Sequence, residues 1–149
     1  MKYVLSDKIR RLNKLINEIN NLYHQFAVKS GLSDSAIIIL YSICENGGRC
    51  DLSSIYKQTG ISKQTINSAI RKLENDGIIY LENKNGREKT VVLTEKGETS
   101  AAKSVFMLFG IENEILSEFS EQEVDANIEF NQRYADLFRK KLKEPETDK

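Results

Sequence analysis

Lys63, Gln64, Asn67, Ser68 and Arg71 lie close together at helical spacing and supply ammonium, amide, hydroxyl and guanidinium groups. Presented from one face, such groups suit the base edges of a DNA major groove, with the cations serving the phosphates. Three further cations, Lys84, Arg87 and Lys89, surround an Asn85-Gly86 dipeptide downstream. Little else in the chain points to chemistry. Cys44 and Cys50 are the only cysteines, too few for a disulfide framework or a four-ligand zinc site. Cys44 lies in an apolar run and reads as a packing residue. Cys50 follows Gly47-Gly48-Arg49 and is expected to be exposed, beside a cation that favours thiolate. His24 has neither a second histidine nor a nearby cysteine, so it reads as a surface or interface residue. There is no acid/base pair, nucleophile triad, P-loop or dinucleotide fingerprint, so no enzyme activity, cofactor or metal is expected. A thiol-based activity would rest on Cys50 alone.

Hydrophobic periodicity shows what must position these groups. Leu5, Ile9, Leu12, Ile16, Ile19, Tyr23 and Phe26 recur at alternating intervals of four and three, the apolar seam of a long helix from Val4 to Val28. Ser33 is placed to cap a second helix, almost wholly apolar, running to Asn46 and expected at the centre of the fold. Asp51 is read as the cap of a third helix from Leu52 to Gln58, followed by a Thr59-Gly60-Ile61 turn. Ser62 then caps a fourth helix to Asn75, with Ile66, Ala69, Ile70 and Leu73 inward and the polar set outward. Ile78–Leu81 and Thr90–Leu93 are strand-like runs on either side of Asn85-Gly86, the signal for a type I′ hairpin. From Thr94 the helical period returns. Ser120-Glu121-Gln122-Glu123 forms a capping box that divides the last third into two helices.

Residues 51–94 therefore read as helix–turn–helix–hairpin, a winged helix-turn-helix. The expected fold is mainly α with a small two-stranded β-wing, one domain over residues 1–149. At 149 residues the chain can bury a sizeable core. Its 22 basic and 22 acidic side chains give a net charge of zero, which taken whole argues against nucleic acid. The distribution argues otherwise: residues 1–48 carry +2, residues 49–96 carry +3 and residues 97–149 carry −5. No apolar run approaches the roughly 20 residues of a membrane span, and the cysteine usage fits a reducing cytoplasm.

Three segments, Ile61-Ser62-Lys63-Gln64-Thr65-Ile66, Leu73-Glu74-Asn75-Asp76-Gly77-Ile78-Ile79 and Leu93-Thr94-Glu95-Lys96-Gly97, together resemble the MarR family of bacterial transcriptional regulators. The resemblance implies a homodimer whose interface is made by N- and C-terminal helices, residues 4–28 and 98–143, around a DNA-binding core of residues 33–97. It implies two winged domains gripping a palindromic site of double-stranded DNA, and by analogy repression of a promoter. Half-sites would then be centred about one duplex turn, ~34 Å, apart. A small-molecule effector, or oxidation, often tunes DNA affinity in such proteins; the aromatics here do not identify an effector. The expected DNA-binding residues are Ser62, Lys63, Gln64, Thr65, Asn67, Ser68 and Arg71 on the helix, with Lys84, Arg87 and Lys89 on the wing. Three departures stand out. Tyr56 occupies a place usually held by a small residue, the wing has Asn85-Gly86-Arg87 where the family often has Asp-Arg-Arg, and the stretch from Gly77 to Arg87 is shorter than the common family pattern. The short wing and Tyr56 motivate the alternative of a winged-helix protein-interaction module without DNA binding.

Overall fold

The computed structural model describes residues 4–83, 86 and 88–144. The elements run α1 (Asp7–Lys29), α2 (Asp34–Glu45), β1 (Arg49–Asp51), α3 (Leu52–Thr59), α4 (Lys63–Asn75), β2 (Ile79–Asn83), β3 (Lys89–Leu93), α5 (Glu95–Ala102), α6 (Val105–Ser117) and α7 (Glu121–Lys143). They fall into two compact units, Met1–Leu108 and Phe109–Lys149.

In the first unit α2 is the centre, touching α1, α3, α4, β1 and β3. Its Ile39, Leu40 and Ile43 are 0% exposed. Each such side chain stabilises the fold by roughly 1.5–3 kcal/mol relative to leaving it in water. The Ser33 side chain caps α2 by accepting from the Ala36 amide at 3.2 Å. His24 on α1 reaches the head of the same helix, with Nδ1 2.8 Å from Asp34 Oδ1. No single helix among the described residues is long and apolar enough to cross a membrane; α1 and α2 pass that test only together and are bent by 89° at their junction.

The wing is a three-stranded antiparallel sheet, ordered β1-β3-β2, where the sequence suggested two strands. The added strand is only three residues long and follows two glycines, so it carries no readable alternation. It changes the role of Asp51. Instead of capping α3, the Asp51 carboxylate accepts from Thr90 Oγ1 at 2.8 Å, tying the start of α3 to β3. The hairpin register also differs. A two-residue Asn85-Gly86 turn would set Asn83 opposite Glu88, but Asn83 faces Lys89. Thr90 to Leu93 are all buried, so both faces of β3 are covered and burial alone does not choose between the two registers. Lys84, Asn85 and Arg87 lie outside the described residues.

A polar joint and a close backbone contact hold the sheet to the helices. Thr94 caps α5: its Oγ1 accepts from the Gly97 amide at 2.9 Å and donates to the Gly77 carbonyl at 2.6 Å. Gly97 packs so closely on the Ile78 carbonyl that no Cβ fits there. The Leu93-Thr94-Glu95-Lys96-Gly97 sequence is thus a docking device between the wing base and the α4–β2 turn. Beyond it, the helix expected to run on from Thr94 breaks at Lys103-Ser104 into α5 and α6. No glycine or proline marks the break. Ser104 is buried, and its hydroxyl donates back to the Ser100 carbonyl at 2.8 Å, a bond that competes with a regular helix.

The second unit holds the remainder of α6 and α7. The capping box is present: Ser120 Oγ accepts from the Glu123 amide at 3.3 Å, and Glu123 Oε2 accepts from the Ser120 amide at 2.9 Å. The Ser120 amide, and after it the Ser120 hydroxyl, donate to the Glu123 carboxylate and hold it below its ordinary pKa. Phe130, Tyr134, Leu137 and Phe138 line α7 and are all exposed, as are Leu12, Leu15, Ile16, Ile19 and Leu22 on α1.

Gly97→Ala is expected to lower the unfolding free energy by about 1–3 kcal/mol, the cost of overpacking, measured by urea denaturation. A helix-propensity gain instead, of up to ~1 kcal/mol, would show that the contact with Ile78 relaxes freely.

Candidate nucleic-acid interface

The candidate interface is built outward from the buried face of α4. Ile66, Ala69, Ile70 and Leu73 pack inward, which turns Lys63, Gln64, Asn67, Ser68 and Arg71 to the surface, all exposed. At the head of the helix Ser62 Oγ accepts from the Thr65 amide at 3.2 Å and lies 2.9 Å from Thr65 Oγ1. Both hydroxyls thus belong to the cap as well as to the surface. Gly60, at φ 64°, gives α3 a left-handed C-cap and allows the sharp turn into α4.

Lys89 is exposed at the start of β3. The other wing cations of the sequence reading, Lys84 and Arg87, lie outside the described residues. An open cleft of about 570 Å³ runs between α3, α4 and the sheet, and it brings Asn67, Arg71 and Lys89 together. Lys63, Gln64 and Ser68 stand on α4 outside that lining. Three carboxylates line the same cleft, Asp51, Glu74 and Glu88. The sequence did not place them at this site, although Glu74 falls one helical turn after Arg71 and Glu88 precedes Lys89. Their charge offsets the cations locally. Arg49 is also committed elsewhere, its guanidinium 2.6 Å from Glu82 Oε2.

Tyr56 is the feature that sequence reasoning saw only as a departure. Half-buried on α3, it spans the gap to α4: its hydroxyl donates to Asn67 Oδ1 at 2.6 Å, and the Lys63 ammonium sits 5.5 Å from its ring centroid. A large aromatic where a small residue is usual was the available signal. Its partner on the next helix was not legible from spacing.

Contrary to the exposed thiol expected from the sequence, Cys50 on β1 is 6% exposed and buried. Burial, then the charges of Asp51 and Glu45, push its thiol pKa up, against the expected thiolate. Arg49, the neighbour expected to favour thiolate, is turned to Glu82. Cys44 is buried as expected, and desolvation raises its thiol to about 11.

This arrangement is that of known proteins. Residues 30–88 match the MarR family. The resemblance read from the sequence is borne out over that segment, which holds α2, β1, α3, α4 and β2. No curated protein sequence matches the chain. Among solved structures, a MarR family regulator from Neisseria meningitidis superposes with a TM-score of 0.80 at 19% identity, covering 92% of this chain and 97% of that one. AbsC, a MarR family transcriptional regulator from Streptomyces coelicolor, gives 0.72 at 20% identity, covering 93% and 99%. BpsR of Bordetella bronchiseptica, whose DNA binding is regulated by 6-hydroxynicotinic acid, gives 0.62 at 17% identity, covering 84% and 98%. At these identities the match speaks for the fold, so the MarR-like winged architecture extends over nearly the whole chain. In that architecture the small sheet is the wing, and β1 is its third strand.

Thiol modification tests the cysteine environment. A disulfide reagent at pH 8 is expected to label the native protein at least ~tenfold more slowly than the guanidinium-unfolded chain, because thiolate is scarce and enclosed. Equal rates would mean that Cys50 is open after all.

Proposed function

We propose that the protein is a sequence-specific regulator of transcription that binds double-stranded DNA as a homodimer. The observation that carries this is the outward face of α4, where Lys63, Gln64, Asn67, Ser68 and Arg71 are exposed on the second helix of a winged helix-turn-helix with Lys89 beside them. In this reading Lys63, Gln64, Asn67 and Ser68 meet bases and phosphates, and Arg71 and Lys89 meet phosphates. Ser62 and Thr65 contribute at the helix head, Lys84 and Arg87 at the wing tip. Residues 33–97 form the DNA-binding core of a single functional domain over residues 1–149, working in the cytoplasm.

Dimerisation through residues 4–28 and 98–143 is supported by apolar exposure. Ile19 on α1 is 52% exposed and Phe138 on α7 is 58% exposed, each within a stripe of similar residues. Contiguous apolar surface of this kind is unusual on a monomer and marks an interaction site. A dimer would double the modest cationic excess of each core and grip a palindrome. By family analogy the action is repression at a promoter. The regulation of the Bordetella relative by a small aromatic acid supports an effector here too.

Binding to duplex DNA across a series of salt concentrations tests the reading. Affinity should fall steeply as salt rises, with one molecule of dimer per palindrome by light scattering. Lys63→Ala and Arg71→Ala should each weaken binding, and loss of a phosphate contact should reduce the salt slope by about 0.9. Absence of binding at low salt would leave the winged-helix protein-interaction module, which the cleft carboxylates Asp51, Glu74 and Glu88 favour. Unchanged affinity in both variants would remove α4 as the reading helix.

A further inference from the structure

We infer that Asn127 and Asn131 select the partner and the alignment of α7 in the dimer through a reciprocal pair of amide bonds, Asn127 of each subunit donating to the partner subunit's Asn131. The inference rests on the homodimer reading above and adds the residues that make the pairing specific. It starts from the exposure of α7. Among the described residues, no side chain on this 23-residue helix is buried. Yet at about 3.6 residues per turn Val124, Ile128, Phe130, Tyr134, Leu137 and Phe138 share one broad side. Phe130, Tyr134 and Phe138 form a ladder on it, with ring centroids 6.1 and 6.4 Å apart. Asp125, Glu129, Arg133 and Asp136 take the other side.

Two amides interrupt the apolar side near its middle. Asn127 lies between Val124 and Phe130 at helical spacing, and Asn131 between Ile128 and Tyr134. Asn131 Nδ2 donates to the Asn127 backbone carbonyl at 2.8 Å and to Asn127 Oδ1 at 2.8 Å. A backbone carbonyl only accepts, so the Asn131 amide has one orientation, its NH₂ group turned back along the helix and both its protons used. What remains is two lone pairs on the Asn131 oxygen, two N–H donors on Asn127 and a second lone pair on Asn127 Oδ1. Among the described residues none of these meets a protein partner. An apolar helix laid over them would strip their water, costing roughly five- to a hundredfold in affinity for each group orphaned. A second copy of the chain answers them. An isologous contact pairs residue i with j and j with i, so the Asn127 donors meet the partner subunit's Asn131 oxygen and the same bond returns by symmetry. Pairing Asn127 with itself across the axis would leave both Asn131 oxygens orphaned. A misaligned or foreign helix orphans them too, which is how a polar residue in an apolar seam fixes register.

The test mixes full-length Asn127→Ala and Asn131→Ala chains, one grown on heavy nitrogen so that the three possible dimers differ in mass. Both positions are exposed and alanine favours helix, so the subunits keep their fold. A dimer of Asn127→Ala alone orphans both Asn131 oxygens, and one of Asn131→Ala alone orphans both Asn127 amides. Each should dissociate at least about tenfold more readily than the wild type in sedimentation. The mixed dimer keeps one complete bond and loses both halves of the other, so it orphans neither. After unfolding together in urea and refolding, native mass spectrometry should show a ratio of mixed dimer to homodimers about fivefold or more above the statistical value. A role confined within one helix gives the statistical value, because each variant carries its own defect into every dimer. The inference is overturned by that statistical ratio, by a shortage of mixed dimer, or by single variants that dissociate like the wild type. A monomeric wild type overturns the homodimer reading itself, and this inference with it.

Discussion

The burial of α2 is the constraint on which the first unit depends. A helix carrying Ile37, Ile39, Leu40 and Ile43 cannot lie against water on most of its surface, so neighbours must enclose it. Those neighbours are α1, α3, α4, β1 and β3. α4 gives its Ile66, Ala69, Ile70 and Leu73 stripe to this wall, and geometry then sends the opposite stripe outward. The outward face takes no part in this apolar packing, although Asn67 and Lys63 meet Tyr56 there, which makes the concentration of amide and cationic groups informative about use as well as architecture.

The second organising feature is polar and local. Thr94 accepts one backbone proton and donates its own to another segment, and Gly97 allows two backbones to touch. The Leu93–Gly97 segment is therefore a joint, and its residues are dictated by space and by hydrogen bonding.

Much of this was legible in the sequence because it is written locally. The caps Ser33, Ser62 and Ser120, the turn at Gly60 and the buried stripe of α4 all depend on residues within a few positions of one another. What escaped depends on residues far apart in the chain. Strand β1 exists because Arg49 to Asp51 find β3, with Cys50 opposite Val91, and the same pairing encloses the Cys50 thiol. The hairpin register, with Asn83 opposite Lys89, is not the one a two-residue Asn85-Gly86 turn would set. Tyr56 gains its role only when Asn67 is brought beside it. The break before α6 needed knowledge that Ser104 would be buried.

The bond from Thr90 to Asp51 joins the wing to the helix pair at its root, and β1 adds a third strand to what would be an isolated hairpin. Two-stranded hairpins are marginal by themselves, and a third strand changes that. The root of the wing and the entry to α3 accordingly behave as one piece, a caliper whose jaws are set when the chain folds. A partner gripped by such a caliper has to supply the adjustment. For a double helix the adjustment is groove width and bend, whose energy depends on the stiffness of each base step. Under the proposed DNA-binding reading, a rigid root would make the mechanical character of a sequence a second criterion of fit, felt even at positions no side chain reaches.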